Sequence, residues 1–282
     1  MTVSDPPTAT PPTATPPTVT PPAASPPATG PRAGAPPVAV VTGAGQGLGR
    51  AFALDLAGRG WQVAVADLDG DRAAKVAAET VEAGGMARPF TCDVSDRTQV
   101  AGLAAAVTGQ LGPVVGLVNN AAIFSALRMG PFEDIEPDAW DRVLRVNVTG
   151  AFLMCQAFIP AMRSAGYGKV VNISSATVHT GRPGYLHYVT SKAALIGFTR
   201  ALAAEVGPAG VTVNAITPGS TATEVERETI TPDQRQAMAA ATALRRVQVP
   251  ADLVGAVAFL LSPDSDFITG QTLNVDGGFA YH

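Results

Sequence analysis

Residues 38–60 read VAVVTGAGQGLGRAFALDLAGRG, and three textures follow one another within them. A short apolar, β-branched run gives way to a glycine-rich loop and then to a pattern rich in Ala and Leu, which predicts strand, loop and helix. At such a junction the free backbone N–H groups and the helix dipole face an incoming phosphate, and glycine lets the phosphate come close. The spacing is informative. Gly-x-Gly-x-x-Gly counted from Gly43 fails because its sixth position is Leu48, whereas Thr-Gly-x-x-x-Gly-x-Gly is met by Thr42, Gly43, Gly47 and Gly49. A tight turn also needs glycine, so the loop alone leaves both readings open.

Outward from this unit the alternation continues. Runs at 61–67, 86–94, 114–122, 169–175, 211–219 and 271–278 have strand character, and helical patterns occupy 71–83, 96–109, 136–164, 186–206 and 251–262. Apolar strands alternating with helices predict an α/β fold, one doubly wound parallel sheet of about seven strands covered on both faces. Ligands of such sheets sit beyond the carboxyl ends of the strands. Each motif considered below falls at a predicted strand end or on the helix that follows.

Residues 1–37 hold thirteen of the 24 prolines, and 6–30 repeat a five-residue unit beginning Pro-Pro. Paired prolines remove backbone donors and fix φ, so this Pro/Thr-rich tail is expected to be extended and disordered, with 38–282 as one large folding unit. The tail's Asp5 and Arg32 cancel, leaving the folding unit the whole net charge of −4 and no basic excess for a nucleic acid. Cys92 and Cys155 lie far apart with no metal-ligand partner nearby, which predicts buried or free thiols, no disulfide framework and no metal site. The N-terminus lacks a basic segment followed by an apolar one, and no window of about 18 residues is continuously apolar. A cytoplasmic protein with no membrane partner is the expectation.

Asp67 ends the second predicted strand 18 residues beyond Gly49. An acid there accepts hydrogen bonds from an adenosine ribose and repels a 2′-phosphate. Neither Gln46 in the loop nor Leu68 after the acid is basic, so NAD is favoured over NADP. Capping a turn before Asp69-Gly70 is the competing role for Asp67. The loop and the acid occurring together favour the nucleotide.

Tyr188 and Lys192 are four apart at the start of a helical pattern, which places both side chains on one face. A free phenol loses its proton near pH ~10, so proton transfer near neutrality needs a shift of roughly three units, or about 4 kcal/mol. An ammonium about 4 Å away supplies energy of that order at an effective dielectric of ~20. Tyr-x-x-x-Lys is common by chance, and a half-buried tyrosine beside a solvated lysine is its ordinary meaning. Ser175, 13 residues earlier at a strand end, and Asn147 in RVNVTG add two polar groups. His179 and His187 have no second acid or base in register and read as pocket lining or surface.

Taken in order, these motifs resemble the classical short-chain dehydrogenase/reductase family, and the match runs from about Val38 to His282. The resemblance implies a Rossmann-type fold whose 38–282 unit binds a dinucleotide and catalyses hydride transfer. It also implies a catalytic tetrad: Ser175 orients the substrate oxygen, Tyr188 passes the proton, Lys192 holds the ribose and lowers the phenol's pKa, and Asn147 anchors a water relay. The cofactor side implied in the same way comprises Gly43, Gln46, Gly47, Leu48 and Gly49, then Asp67 and Leu68, Asp93 and Val94 flanking the adenine, and Asn120 and Ala121. Pro218, Gly219, Thr221 and Thr223 complete it near the nicotinamide, with Tyr188 and Lys192. Ala122 stands where the family usually has Gly.

Residues 220–247 lie where the family carries a mobile lid, and the charges Glu224, Glu226, Arg227 and Glu228 are expected on its solvated face. Stretches such as HYVTSKAALIGFTRALAAEVGPAGVTVNAITPG are similar to NAD-dependent secondary-alcohol dehydrogenases of the 1-phenylethanol kind and to 3-oxoacyl-carrier-protein reductases. A homotetramer is implied by the same resemblance. The expected activity is NAD-dependent exchange between a secondary alcohol and a ketone, aryl or cyclic. A 3-oxoacyl-carrier-protein reductase and a non-catalytic nucleotide sensor are the alternatives. The pocket walls are expected near Ile123, Phe124, Val178, His179 and Tyr185.

Overall fold

The structure, a computed structural model, describes residues 34–125, 127–225 and 232–281. The repeat region of the proline-rich tail and the lid charges Glu226, Arg227 and Glu228 lie outside the described residues. Strand β1 (Val38–Thr42) is buried along its whole length. Its side chains alternate between two cores, Val38 and Val40 on one face and Ala39 and Val41 on the other, as a period of two requires. Helix α1 (Gly47–Gly58) then lays Phe52, Ala53, Leu56 and Ala57 on the second face.

The remaining elements follow in the same alternation. They are β2 (Gln62–Asp67), α2 (Gly70–Glu82), β3 (Met86–Thr91), α3 (Arg97–Leu111), β4 (Val114–Asn119), α4 (Pro137–Leu144), α5 (Gly150–Ala165), β5 (Gly168–Ile173), α6 (Thr177–Thr180), α7 (Leu186–Val206), β6 (Val211–Pro218), α8 (Pro232–Ala241), α9 (Ala251–Leu261) and β7 (Thr272–Val275). The strands form one parallel seven-stranded sheet in the order β3-β2-β1-β4-β5-β6-β7. Helices α3, α5 and α7 pack on one face, and α1, α2 and α9 on the other. The fold is therefore the doubly wound Rossmann type, and the order reverses between β1 and β4, where a crevice opens.

Pro89 sits in β3, at the sheet edge, where a missing donor costs no ladder bond. The strand expected over 86–94 ends at Thr91, because Asp93 turns the chain by accepting from Ser95 N–H at 2.8 Å. The helical pattern at 136–164 is two helices joined by a π-turn over Arg145–Thr149. Periodicity does not reveal such an insertion, since the apolar stripe continues on both sides of it. The combined run Pro137–Ala165 is long and apolar enough for a membrane span by composition, but half of its most apolar window is buried inside the fold. Leu153, Met154, Phe158 and Met162 face the sheet. Both cysteines are free and buried, and burial pushes the Cys92 thiol up to about 11 and the Cys155 thiol to about 12.

Gly49 lets α1 rest on the loop before it. A methyl at this position runs into the Gly43 carbonyl oxygen and comes within 2.6 Å of Asn120 Nδ2. Gly58, on the same helix, has open space around its missing side chain. Gly49→Ala is expected to cost about 2 kcal/mol through overpacking, while Gly58→Ala changes stability by less than about 1 kcal/mol and in the stabilising direction. Chemical denaturation of the two variants checks this, and equal effects would remove the steric argument.

Candidate active site

The C-terminal ends of β1 and β4 are tied together by the first residue of the glycine motif. Thr42 Oγ1 donates to the Val118 carbonyl at 3.3 Å and accepts from the N–H groups of Asn120 and Ala121 at 3.0 and 3.1 Å. Asn120 returns the contact, its amide donating to the carbonyls of Thr42 and Gly43. Gly43 turns in the left-handed region at φ +61°, and a Cβ there would lie 2.8 Å from Ala121 Cα. Gly47 opens α1, and its N–H donates to Glu224 Oε1 at 2.9 Å. A carboxylate oxygen on the first turn of α1 shows that these donors fit an anion such as a pyrophosphate.

Asp67 caps the turn before Asp69-Gly70 and also ties β2 to the glycine loop. One carboxylate oxygen accepts from Gly45 N–H at 2.8 Å, and the other accepts from Asp69 N–H at 3.0 Å. Asp69 in turn caps α2 by accepting from the N–H groups of Asp71 and Arg72. That helix folds Arg72 back over the loop. Its Nη1 donates to Gln46 Oε1 at 2.6 Å, and its Nε pairs with Asp69 at 3.0 Å. A base therefore stands beside the loop although neither Gln46 nor Leu68 is basic. Its signal in the sequence was its place three residues after the helix cap.

A cavity of about 630 Å³ opens at this edge of the sheet. Ser175, Tyr188 and Lys192 line it, together with Gly43, Gln46, Gly47, Leu48, Asn120 and Ala121 from the β1 and β4 ends and Pro218, Gly219, Thr221 and Thr223 from the segment after β6. Gly49, Asp67, Leu68, Asp93 and Val94 do not line it. Gly49 packs beneath the loop, Val94 lies in the core against Gly150, and Leu68 is exposed. Of the expected pocket walls, Phe124 lines the cavity, while Ile123, Val178, His179 and Tyr185 stand outside its lining. Helix α8, inside the 220–247 segment, contributes Gln234, Ala237 and Met238.

Helix α7 carries Tyr188 and Lys192 one turn apart, and several bonds fix that turn. Ser191 Oγ donates to the Tyr188 carbonyl at 2.7 Å, and Ser174 Oγ donates to the Lys192 carbonyl at 2.7 Å. Lys192 Nζ donates to the Ile173 carbonyl at 2.7 Å and lies 5.8 Å from the centre of the Tyr188 ring. The other side of that ring meets Phe124, with centroids 4.4 Å apart. Ser175 Oγ accepts from Thr177 Oγ1 at 2.9 Å. Asn147 does not line the cavity. It sits in the π-turn, accepts from Ile123 N–H at 2.8 Å and donates to Ser191 Oγ at 3.0 Å, so it braces the wall from behind. Neither His179 nor His187 lines the cavity, and burial lowers His187 from its ordinary value.

Comparison with known proteins agrees with this geometry. The profile of a family described as enoyl-(acyl carrier protein) reductase matches residues 43–280. The chain belongs to the short-chain dehydrogenase/reductase family. It is 40% identical to the short-chain reductase protein NovJ of Streptomyces niveus over 248 residues, 86% of this chain and 93% of that protein. Over 242 residues it is 35% identical to the D-threitol dehydrogenase of Mycolicibacterium smegmatis, with 86% and 92% covered. A crystal structure from Agrobacterium tumefaciens, described as that of a candidate gluconate dehydrogenase, superposes with a TM-score of 0.82 at 34% identity, over 87% of this chain and 96% of that one. Members of this dehydrogenase family work with a nicotinamide dinucleotide.

Burial lowers Lys192 from 10.5 to about 7. The unfolded chain holds this proton up to about pH 10.5 and the folded chain only to about 7, so folding releases a proton between those values. Stability therefore climbs with pH across that window, by on the order of 5 kcal/mol, and the penalty is fully present below pH 7. Lys192→Met removes the titrating group. Thermal unfolding from pH 7 to 10 is expected to show a rising profile in the parent and a flatter one in the variant; parallel profiles would contradict the assignment.

Proposed function

We propose that the chain is an NAD-dependent oxidoreductase that moves a hydride between the nicotinamide and a secondary alcohol or ketone. The observation that carries this reading is the convergence of Ser175, Tyr188 and Lys192 on the cavity that the glycine loop also lines. The bound nicotinamide supplies or accepts the hydride. Around it, Gly47 and its neighbours would hold the pyrophosphate, Asp67 the adenosine ribose, and Lys192 the second ribose.

Ser175 and Tyr188 would share the substrate oxygen. In ketone reduction the Tyr188 hydroxyl gives its proton to the carbonyl oxygen, and in alcohol oxidation the phenolate takes it back. The Lys192 ammonium favours the phenolate, and the phenolate favours the ammonium, so the pair titrates as one unit. Asn147 keeps Ser191 and the Ile123 backbone in place, which holds both walls at a fixed separation. Residues 220–247 would act as the lid. For binding to proceed at the loop, Glu224 must leave Gly47 N–H, which couples lid position to the cofactor site.

Exposed Phe152 and Leu186 on α5 and α7, with Phe267 and Leu273 near the β7 edge, support contacts between copies of the chain, which we take to be a homotetramer. One observation favours a second reading of the cofactor, namely NADP. Arg72, turned towards Gln46, offers a guanidinium to a 2′-phosphate. Asp69 already holds that guanidinium and Asp67 repels the phosphate, so NAD remains the choice.

Tyr188→Phe is expected to lower turnover by at least about a hundredfold while leaving NADH affinity within a few-fold of the parent. Stopped-flow reduction of a ketone panel and a fluorescence titration with NADH give the two numbers, and an undiminished rate refutes the proton role. For the cofactor, Asp67→Ala should weaken NADH more than NADPH, and Arg72→Ala should leave NADH unaffected. If Arg72→Ala weakens NADPH from an affinity above that of NADH, the second reading replaces the first.

A further inference from the structure

The cavity wall beyond Tyr188 carries a second cation. Arg182 and Lys192 are the only charged side chains among the described residues lining the cavity, and no Asp or Glu lines it. Lys192 lies deep, beside the reacting phenol. Arg182 stands further out, half-buried, with Cζ 5.3 Å from the centre of the Tyr185 ring, and that ring lies 6.4 Å from the ring of Tyr188. Among the described residues no carboxylate comes within ion-pair distance of its guanidinium, in contrast to Arg50, Arg59, Arg72 and Arg246.

The backbone beneath Arg182 is held in place. Gly181 closes α6 at φ +59°, its N–H bonded to the Thr177 carbonyl, and the Gly184 carbonyl accepts from Gly130 N–H at 3.2 Å. The Tyr185 ring lies beside the guanidinium and is the partner that positions it. Phe124, Pro183, Met238 and Phe279 give this cavity apolar surface, beside the polar Thr177 and Thr180.

We propose that Arg182 receives a carboxylate of the substrate, so that the compound turned over is an oxo or hydroxy acid with its charge held apart from the reacting carbon by an apolar spacer. The inference rests on the oxidoreductase reading and specifies its substrate class. A planar guanidinium matches a carboxylate through two parallel hydrogen bonds, which a neutral ester cannot reproduce. A neutral substrate also covers a half-buried cation without replacing its lost water, which disfavours it. Among the described residues, no acid on the cavity wall competes for the site.

The test pairs a panel of aryl and aliphatic oxo acids, such as 4-acetylbenzoate, with their methyl esters. KM is measured by NADH oxidation and the dissociation constant by calorimetry on the full chain with NADH present. The acids are expected to bind at least about tenfold more tightly than their esters, and Arg182→Gln should collapse that ratio towards one while Arg182→Lys keeps part of it. Equal affinity for acid and ester throughout the panel overturns the proposal. So does an Arg182→Gln variant that weakens both alike, because that is the result of a guanidinium serving only to support Tyr185. If the acids bind selectively but the parent reduces none of them, the docking role stands and the oxidoreductase reading fails. If esters and acids are reduced equally well, the oxidoreductase reading stands and the carboxylate assignment fails.

Discussion

Thr42 and Asn120 hold together the two strands from which the helices depart to opposite faces. Their side chains bond to the backbone of the neighbouring strand end, Thr42 to Val118, Asn120 and Ala121, and Asn120 to Thr42 and Gly43. At the switch point of a doubly wound sheet no crossover helix fills the gap, so the polar ends of β1 and β4 would otherwise be solvated separately. Bonding them to each other fixes the width of the crevice. Gly43 and Gly49 then bring the loop and α1 down onto that frame with no side chain between. The cavity inherits its floor from these contacts.

The second constraint is a cost. Lys192 is almost fully buried with its ammonium on one backbone carbonyl, an arrangement that opposes folding near neutral pH. Packing elsewhere must offset it, and the chain does so by fixing α7 with polar bonds on several sides. Asn172 bridges Asn119 of β4 and Thr199 of α7 at 2.8 and 2.9 Å, and Ser174 and Ser191 bond the carbonyls of the reacting pair. These groups are buried and, Asn119 Oδ1 apart, bonded to one another or to backbone, so they orient the helix as well as filling space. A group costly to stability and placed next to a phenol in a cavity is the pattern expected of a site kept for chemistry.

The architecture was legible because its signals are local. Two-sided apolar strands, a glycine loop at one junction and a Tyr/Lys pair at helical spacing need no knowledge of distant contacts. The reach of side chains across the crevice was not legible. Asn147 reads as a cavity residue by order, yet it lies behind the wall because a π-turn inserted in an unbroken apolar stripe rotates it towards Ile123 and Ser191. Glu224 reads as solvated and is exposed, but its bond to a loop 177 positions earlier in the chain leaves no local signal. Arg72 escaped attention because position 72 is distant from Gln46 in sequence and adjacent to it only once α2 has folded. Strand ends were overrun wherever the closing polar residue bonds sideways, as Asp93 does.

Glu224 and the cavity wall together show how the chain distributes charge around the site. The Gly47 N–H at the start of α1 donates to the chain's own Glu224 carboxylate, so it meets an anion's requirements in geometry as well as in dipole. The cavity lining carries the opposite arrangement, two cations and no acid among the described residues. The folding unit carries a net negative charge, yet no acid among the described residues lines this cavity, which makes its interior attractive to anions. On the proposed reading such a field would favour anionic groups at both ends of one crevice, a pyrophosphate at the loop and a substrate carboxylate at Arg182. On the proposed reading the uncharged reacting carbon would sit between them, beside Tyr188, where a wall that includes Phe124 and Met238 would limit the loss of a proton or hydride to solvent.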